Sequence, residues 1–244
     1  MNNTAIIIPS RLAAQRLPNK PLKLINNKEM ILHVYEAAVK SNVNEVIVAT
    51  PDKEIVETIN KIGGKAIITG EHHKTGTDRI FEVFNNTLKA KPDIIINLQG
   101  DMPNIDSNAI KDLVAYMSKN KCDIGTLASN LDPEIDNENP NAVKVTVNNE
   151  LLESSFEKAL DFFRINKSIT KNVYHHIGIY GFTSDSLIRY VKLKRSKLEL
   201  ERKLEQLRAL ENGMSIHVGY IKSAPLSVDT ESDLIEIKKL MKDE

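Results

Sequence analysis

The 244-residue chain has little of what marks several large classes of protein. Its one cysteine, Cys122, can form neither an internal disulfide nor a cysteine-based metal cluster. Lys and Arg together number 33, and so do Asp and Glu, so a general electrostatic attraction to nucleic acid is not expected. No segment approaches the roughly 20 apolar residues of a membrane-spanning helix.

Signals for export and for the commonest phosphate-binding loop are also missing. The apolar run at residues 5–8 is too short for the h-region of a secretory signal peptide. The Walker pattern G-x-x-x-x-G-K-[ST] does not occur, and neither does an internal repeat. The sequence therefore predicts a cytoplasmic protein with neither a nucleic acid nor a membrane as its partner.

What the chain has is an alternation of strands and helices. Its first hundred residues predict strands at 4–9, 43–50, 65–69 and 93–98, and helices at 30–40, 51–62 and 77–88. Such an order predicts a largely parallel sheet covered on both faces. Ligands bind such sheets beyond the carboxyl ends of the strands, so the loops at 10–20, 70–76 and 99–103 should converge there.

The remaining chain is more irregular. It predicts helices at 107–118, 184–193, 199–211 and 230–241, and strands at 122–128, 143–147, 173–182 and 215–221. Residues 131–141 are acidic, contain two prolines and predict an irregular loop. We interpret residues 1–244 as a single domain with an inserted subregion at about 130–215.

The loop at 10–20 carries three cations and no acid. Arg11, Arg16 and Lys20 follow a buried strand that ends at Pro9. Arg can bind phosphate in a bidentate manner and Lys can bind it as a point charge, so the loop suits a polyphosphate. A solvated turn with scattered cations is an equally good interpretation of the spacing alone.

Two acids lie where a metal could bind. Asp101 follows the strand at 93–98 through Gly100, and Asp229 precedes the last predicted helix. Mg²⁺ takes one or two protein carboxylates and completes its shell with phosphate oxygens and water. The alternatives are a turn-forming role for Asp101 and an N-cap role for Asp229.

A third group of candidates precedes the helix predicted at 77–88. Thr75 and Gly76 would leave backbone N–H groups exposed to an acceptor, although an ordinary Thr-capped helix fits equally well. Arg79 could reach the same place or pair with surface acids. In the strand at 173–182, His175 and His176 should point to opposite faces, so at most one can face a given pocket.

Seven motifs occur in an order and spacing that resemble one enzyme family. They are PSRLAAQRLPNKPL (9–22), HHKTGTDR (72–79), NLQGDMP (97–103), NPNAVKV (139–145), HHIGIYGF (175–182), LEQLRALENG (204–213) and VDTESDL (228–234). The chain resembles the sugar nucleotidyltransferases that activate 3-deoxy-manno-octulosonate (Kdo) and related keto-sugar acids with CTP, and the resemblance covers most of its length.

The resemblance implies a fold and an activity. The fold would be a three-layer α/β nucleotidyltransferase fold, Rossmann-like and GT-A-like, with a mostly parallel mixed central sheet. The activity would be transfer of CMP from CTP to Kdo with release of pyrophosphate, for lipopolysaccharide biosynthesis. Mg²⁺ would be the cofactor, and the protein would be a homodimer.

The resemblance also implies roles for residues at matching positions. Catalysis and metal binding would involve Arg11, Lys20, Asp101 and Asp229, the two acids being the metal ligands. The nucleotide would be held by Pro9, Arg11, Arg16, Lys20, Thr75, Gly76, Arg79 and Gln99. The sugar acid would be contacted by Gln99, His176, Tyr180, Glu205 and Gln206. Tyr180 lies four positions after His176, and therefore on the same face of the predicted strand.

The chain departs from the family at two places. Met102 stands where the family more often has Glu, which removes a carboxylate that could support the metal ligands. Residues 153–166 lack the usual serine-arginine stretch and offer Lys158 and Arg164 instead as a cation for the sugar carboxylate. Two alternatives follow: a cytidylyltransferase for another acid sugar (8-amino-Kdo or sialic-type), and a catalytically silent nucleotide-binding homologue.

Overall fold

The structure, a computed structural model, describes residues 3–13, 16–132, 139, 141–153, 155–165 and 171–242. Its packing divides the chain into two compact units. The first comprises Met1–Lys111 and Pro225–Glu244, and the second comprises Asp112–Ala224. The single domain with a subregion at about 130–215 stays a prediction, because this division concerns packing and not independent folding.

Strands and helices follow one another along both units. The strands are β1 (Thr4–Pro9), β2 (Leu24–Ile25), β3 (Lys28–Glu29), β4 (Glu45–Thr50), β5 (Ala66–Ile68), β6 (Ile94–Asn97), β7 (Ile124–Ser129), β8 (Lys144–Val147), β9 (Phe156–Phe163), β10 (Val173–Thr183) and β11 (Ile216–Tyr220). The helices are α1 (Met30–Lys40), α2 (Lys53–Lys61), α3 (Gly76–Asn86), α4 (Ser107–Lys119), α5 (Ser184–Lys192), α6 (Lys197–Arg202), α7 (Leu207–Glu211) and α8 (Glu231–Leu240).

The first unit is built on four parallel strands in the order β5-β4-β1-β6. All six residues of the central strand β1 are buried, and Ile6 lies between Val46 of β4 and Ile96 of β6. β-Branched side chains pack well on such a doubly covered sheet, which explains the near-continuous apolar runs. The parallel α/β prediction for this half is confirmed.

Two helices of the first unit, α3 and α8, begin directly after a threonine that caps them. The Thr75 hydroxyl accepts a hydrogen bond from the Asp78 N–H at the start of α3. Thr230 and Asp233 form a capping box at the start of α8. The helix expected from residue 51 begins instead at Lys53, because Asp52 is its extended N-cap residue.

A short hairpin and a 3₁₀ turn were not predicted. The 3₁₀ turn spans Lys20–Leu22, and β2 pairs with β3 immediately after it. Asn26 and Asn27, which join the two strands, both have positive φ angles of 48° and 68°. Asn tolerates this backbone region and favours two-residue hairpin turns, so the Asn-Asn pair was the available signal.

The second unit contains a mixed sheet with the order β10-β7-β11-β9-β8, in which β10 also pairs with β8. Only the β7–β11 pair among these five strands is parallel. The pairing of β10 with β7 is interrupted between Ile177 and Tyr180 by a bulge. The mixed α/β character predicted for the chain is therefore confirmed, and its antiparallel pairs belong to this unit.

The single helix predicted at 199–211 is wrong. Two short helices, α6 and α7, flank a non-helical turn at 203–206. Lys203 ends α6 in the left-handed conformation with φ of 55°, which a continuous helix cannot contain. Leu204 and Leu207 of this segment are buried, while Leu200 is 54% exposed.

Strand β9 occupies most of the divergent segment at 153–166, for which the sequence predicted no element. Its exposed Lys158 pairs across the sheet with His217, and Arg164 donates to the Asn141 carbonyl. The loop predicted at 131–141 lies largely outside the described residues. No helix in the described ranges is long and apolar enough to cross a membrane.

Candidate active site

A cleft of about 660 Å³ opens in the first unit, beyond the carboxyl ends of β1 and β6. Its walls come from the loops that follow β1, β5 and β6, and from the residue that precedes the capped start of α8. The lining residues are Pro9, Ser10, Arg11, Ala13, Arg16, Leu17, Lys20, Pro21, His73, Lys74, Thr75, Gly76, Arg79, Gln99, Gly100, Asp101 and Asp229. The predicted convergence of the three loops is confirmed.

The basic loop after β1 is held in place near both of its ends. Near its start, the Leu12 N–H donates to the carboxylate of Asp52 (2.8 Å), at the start of α2. Further on, Leu17 is buried in an apolar cluster with Ile25, Met30, Val228, Leu234 and Ile237. The loop is therefore fixed by a hydrogen bond and by hydrophobic packing, which is not the freely solvated turn that its sequence alone allowed.

Asp101 and Asp229 are brought together by main-chain and side-chain contacts. The Val228 N–H donates to the Asp101 carbonyl (2.9 Å), so the two acidic segments lie side by side. Lys20 Nζ bridges the carboxylates, at 2.9 Å from Asp101 Oδ2 and 3.0 Å from Asp229 Oδ1. Arg16 adds a second contact to Asp229 (2.8 Å). The cations of an acid-free loop therefore find their counter-charges on other loops.

The alternative role of Asp229 as an N-cap is wrong. The side chain that caps α8 is that of Thr230, and Asp233 accepts from the N–H groups of both Asp229 and Thr230. Because the capping positions are filled by these neighbours, the Asp229 carboxylate is turned to the cations of the cleft. Its place next to Asp101 is the arrangement expected of a paired metal site.

The charge of Lys20 is stabilised by its surroundings. Burial by itself would lower the pKa of Lys20, but the charges and hydrogen bonds of Asp101 and Asp229 outweigh it and raise that pKa. Lys20 is therefore a permanent ammonium at neutral pH, and it holds two carboxylates that would otherwise repel each other.

The acid pair fits a magnesium ion. Both carboxylates contact the same ammonium at the edge of the cleft, and Mg²⁺ prefers oxygen ligands of this kind. Met102, the departure from the family pattern, is 3% exposed and does not line the cleft. Its side chain is apolar and buried, so it leaves the acid pair in place.

Thr75 and Gly76 form the wall opposite the basic loop. Besides capping α3, Thr75 lines the cleft, so the capping and binding interpretations are compatible. A Cβ atom at Gly76 would lie 3.2 Å from the ring of Pro9 and 3.6 Å from the amide of Gln99. Only glycine allows this close approach without displacing a neighbour that also lines the cleft.

Arg79 is buried at the base of this wall. Its guanidinium donates to the hydroxyl of Thr69 and to the Gly70 carbonyl (3.0 Å), so it ties α3 to the loop after β5. Burial and the nearby charge of Arg11 lower the pKa of Arg79. The predicted pairing of Arg79 with surface acids is wrong, and its position in the cleft lining agrees with the other prediction.

The carboxamide of Gln99 is oriented from behind. Gln99 Nε2 donates to Asn97 Oδ1 (2.9 Å), and Asn97 Nδ2 donates to the hydroxyl of Thr77 (3.3 Å). Because Asn97 is buried at the end of β6, this chain of hydrogen bonds fixes the Gln99 side chain before any ligand arrives.

His176 and Tyr180 lie in the second unit, on the same side of β10. Their ring centroids are 5.5 Å apart, and Phe162 packs edge-on against His176 (5.0 Å). The bulge inserts two residues of β10 between the partners Leu127 and Thr126 of β7, so it preserves the alternation of faces. The predicted shared face of His176 and Tyr180 is confirmed.

The tautomer of His176 follows from its neighbour. Thr126 Oγ1 lies 2.7 Å from the Ile179 carbonyl and 3.0 Å from His176 Nε2. A carbonyl only accepts, so the single hydroxyl proton goes to it and Nε2–H donates to Thr126. Burial and the neighbouring His175 lower the pKa of His176 to about 3, so the ring is neutral and Nδ1 is its acceptor nitrogen.

Glu205 and Gln206 lie on the turn between α6 and α7, also in the second unit. Gln206 is buried, and the hydroxyl of Tyr190 donates to the main-chain and side-chain oxygens of Glu205. Sequence reasoning without the family resemblance would have placed both on the surface of a helix. The chain leaves helical geometry at Lys203, so Glu205 and Gln206 do not lie on the solvated face of a helix.

Several cleft residues were missed by sequence reasoning. Ser10 is the clearest case, because its Oγ is buried at the cleft and has no hydrogen-bond partner among the described residues. His73, considered above only within a sequence motif, lines the cleft and contacts the carboxylate of Glu82. Lys74 joins Arg11, Arg16, Lys20 and Arg79 as a fifth cation in the lining of the cleft. Ser10 and Lys74 adjoin predicted residues and His73 lies two positions before Thr75, and this nearness was the only signal.

The fold and the cleft define an α/β nucleotidyltransferase, and comparisons with known proteins agree. Residues 5–216 match the family model described as Cytidylyltransferase. The 3-deoxy-manno-octulosonate cytidylyltransferase of Brucella anthropi is 41% identical over 236 residues, 95% of this chain and 93% of the relative. That of Thermodesulfovibrio yellowstonii is 41% identical over 98% of both chains.

A solved structure supports the same relationship. The CMP:2-keto-3-deoxy-manno-octonic acid synthetase complexed with CTP superposes with a TM-score of 0.89, at 36% identity and 98% coverage of both chains. The chain therefore belongs to the family of 3-deoxy-manno-octulosonate cytidylyltransferases. The α/β nucleotidyltransferase fold with a mixed central sheet, predicted from the sequence motifs, is confirmed.

Proposed function

We propose that this protein transfers CMP from CTP to Kdo, releasing pyrophosphate and forming CMP-Kdo for lipopolysaccharide biosynthesis. The observation that carries the proposal is the cleft in which Lys20 bridges Asp101 and Asp229 beside further cations. Its support is the name shared by the Brucella and Thermodesulfovibrio relatives, together with the CTP bound to the similar synthetase.

The cleft residues would bind and orient CTP. Nucleotidyl transfer depends mainly on positioning and on neutralising charge, so Arg11, Arg16 and Lys20 would contact the triphosphate. The remaining nucleotide contacts would come from the opposite wall and from the end of β1. These residues are Pro9, Thr75, Gly76, Arg79 and Gln99.

Asp101 and Asp229 would hold Mg²⁺. The bound ion would offset the charge on the α-phosphate and favour ionisation of the attacking hydroxyl. In the free enzyme, Lys20 would keep both carboxylates turned to the cleft. In the complex with CTP, its ammonium would contact the β- and γ-phosphates. Arg16, 55% exposed on its side chain and paired with Asp229, can follow the phosphates without leaving a buried charge behind.

The sugar acid would be contacted by His176, Tyr180, Glu205 and Gln206 of the second unit. Nδ1 of the neutral His176 would accept a hydrogen bond from a sugar hydroxyl. Burial and the nearby charge of Glu205 raise the pKa of Tyr180, so its hydroxyl stays protonated and would donate. The contacts from His176 and Tyr180 are neutral, which suits the hydroxyl-rich face of a sugar.

Pyrophosphate release with Kdo, CTP and Mg²⁺ tests the proposal. We expect turnover that requires all three components, and a product in which CMP is joined to the sugar. Asp101→Asn serves as the matched inactive control, because it keeps the shape of the side chain. CTP binding without turnover of any keto-sugar acid would overturn the proposal.

The same assay distinguishes the alternative substrates. Kdo should give a higher kcat/KM than 8-amino-Kdo or a sialic-type acid at equal CTP. A preference for either of the other sugars would keep the reaction class and change the substrate.

A homodimer and a cytoplasmic location are further parts of the proposal, both carried over from the family resemblance and the sequence. Light scattering coupled to gel filtration should give twice the 27.4 kDa mass of the chain. A monomeric protein with full pyrophosphate-releasing activity would overturn the proposed homodimer. Fractionation of expressing cells checks the location, and recovery with the membrane fraction would overturn it.

A further inference from the structure

A buried network in the second unit surrounds the turn at 203–206, which we name the Glu-Gln turn because it carries Glu205 and Gln206. We propose that Tyr190 and the ion pair of Glu199 with Arg208 are positioning residues, which hold the Glu-Gln turn in the form that contacts the sugar acid. This inference rests on the proposed function, since it concerns the same substrate.

Local interactions alone cannot stabilise the Glu-Gln turn. Its flanking helices α6 and α7 have six and five residues, far below the roughly 12–15 that give an isolated helix marginal stability in water. Lys203 also adopts a left-handed conformation with a φ of 55°, which is unfavourable for a residue with a side chain. Tertiary contacts must therefore fix this turn.

The first of these contacts is a buried ion pair between the two helices. Glu199 of α6 accepts two hydrogen bonds from Arg208 of α7, at 2.9 Å (Nε–Oε2) and 2.7 Å (Nη2–Oε1). Arg195 Nε and the Ser196 N–H fill the remaining positions, so each carboxylate oxygen accepts two donors. A carboxylate has about four such positions, and its full satisfaction explains why a charge with a 1% exposed side chain is tolerated.

The second contact passes from this pair to the turn through Tyr190. The Arg208 guanidinium lies 4.8 Å from the centre of the Tyr190 ring, a cation–π geometry that fixes the ring. The Tyr190 hydroxyl donates to the Glu205 carbonyl (2.9 Å) and to Glu205 Oε1 (3.2 Å). One hydroxyl proton therefore orients both the main chain and the carboxylate of Glu205.

The chemistry of Tyr190 suits this role. Burial and the neighbouring Glu205 raise its pKa, so the phenol stays protonated and keeps donating. Arg208 also donates its own N–H to the Glu205 carbonyl (3.1 Å), so the same carbonyl is held from two sides. The direction of the Glu205 carboxylate is thus set by α5 and α7, before any sugar binds.

Tyr190→Phe tests the inference with little loss of volume. Removal of one hydroxyl bond should raise the apparent KM for Kdo by about two- to tenfold and leave the KM for CTP nearly unchanged. Tyr174→Phe is the matched control, because Tyr174 also has a buried ring whose hydroxyl bonds a main-chain group, the Leu151 N–H (2.9 Å). It should lower thermal stability at least as much, with no effect on either KM.

Arg208→Lys provides a second variant that keeps the charge. Lysine cannot reproduce the bidentate fork or the stacking on Tyr190, so the KM for Kdo should again rise. Arg202→Lys is its control, because Arg202 of α6 contacts Asp161 of β9 and not the Glu-Gln turn. If the variants raise the KM for Kdo and the KM for CTP equally, and in proportion to the fall in melting temperature, the role is merely structural and the inference is overturned.

Coupling to Glu205 separates positioning from other effects. In a Glu205→Ala background, Tyr190→Phe should raise the KM for Kdo by less than it does in the parent, because the carboxylate it orients is gone. If Tyr190→Phe raises the KM for Kdo by the same factor with and without Glu205→Ala, the inference is overturned. A parent protein without Kdo turnover would reject the proposed function itself. An active parent whose Tyr190→Phe variant keeps its KM for Kdo would reject the positioning role alone.

Discussion

Lys20 Nζ lies 3.0 Å from Asp229 Oδ1, although the two residues are 209 positions apart in the chain. The contact joins the loop after the first strand to the segment before the last helix, and Asp101 completes it from a third loop. An ammonium thus stands between two carboxylates at the place where we propose that Mg²⁺ binds. Cation binding must therefore redirect Lys20, and the triphosphate offers it a new partner.

Asp101→Asn and Asp229→Asn should each lower kcat/KM by at least about tenfold while the fold survives. An amide is a poorer Mg²⁺ ligand than a carboxylate, and the other acid still pairs with Lys20. Pyrophosphate release and circular dichroism measure the two effects. Turnover within about threefold of the parent, well under 1 kcal/mol of barrier, would reject the metal assignment.

Lys20→Ala should weaken CTP binding by about 10- to 150-fold and CMP binding much less. A cation directed at the β- and γ-phosphates has nothing to contact in the monophosphate, and a charge-assisted bond contributes about 1.5–3 kcal/mol. Titration calorimetry with both nucleotides measures this. Lys40→Ala, an exposed lysine at the end of α1, is the control for loss of charge. Equal losses for CTP and CMP would place Lys20 elsewhere.

His176→Ala should raise the KM for the sugar several-fold and leave the affinity for CTP nearly intact, whereas His175→Ala should do little to either. The neutral His176 offers one acceptor, and a neutral hydrogen bond contributes about 0.5–1.5 kcal/mol. Kinetics with each substrate varied separately test both variants. A larger sugar defect in His175→Ala would contradict the assignment.

The stability contributed by Glu199 should disappear in acid. Burial alone would raise the pKa of Glu199, but the hydrogen bonds from Arg208 and Arg195 outweigh it and lower that pKa. A carboxyl with a depressed folded-state pKa contributes stability that is present above its unfolded value of about 4.3 and is lost as pH falls through the folded value.

Thermal unfolding from pH 7 to pH 3 measures this contribution. Glu199→Gln should lower the melting temperature at pH 7, and the gap to the parent should shrink as pH falls below about 4. Glu201→Gln, an exposed residue on the same helix, is the control and should leave the pH profile unchanged. A gap that stays constant down to pH 3 would show that the Glu199 charge adds no stability.

Much of the first unit could be predicted because its signals are local. The isoleucine-rich runs at β1 and β6 and the threonines before α3 and α8 specify strand or helix from neighbouring residues alone. The edge of the sheet at which the loops meet then follows from the rule for parallel strands.

The parts that could not be predicted depend on contacts between distant residues. No local pattern reveals that Lys20 will pair with Asp229, or that Leu17 of the loop will pack against α8. The helix predicted at 199–211 failed for the same reason. The apolar residues of this segment recur with a helical period. The ion pair between Glu199 and Arg208 nevertheless stabilises a break in the helix, which the helix propensity of the segment disfavours.

The cluster around Leu17 links the packing of α8 to the making of the site. Leu17, Ile25 and Met30 are synthesised well before Leu234 and Ile237, which cover them. A chain that lacks residues 229–240 keeps the parallel strands but lacks one of the two carboxylates, and the apolar side chains of Leu17, Ile25 and Met30 stay uncovered. Exposed apolar surface is what chaperones and proteases recognise, so packing of α8 hides that surface only in molecules that also carry the Asp229 carboxylate.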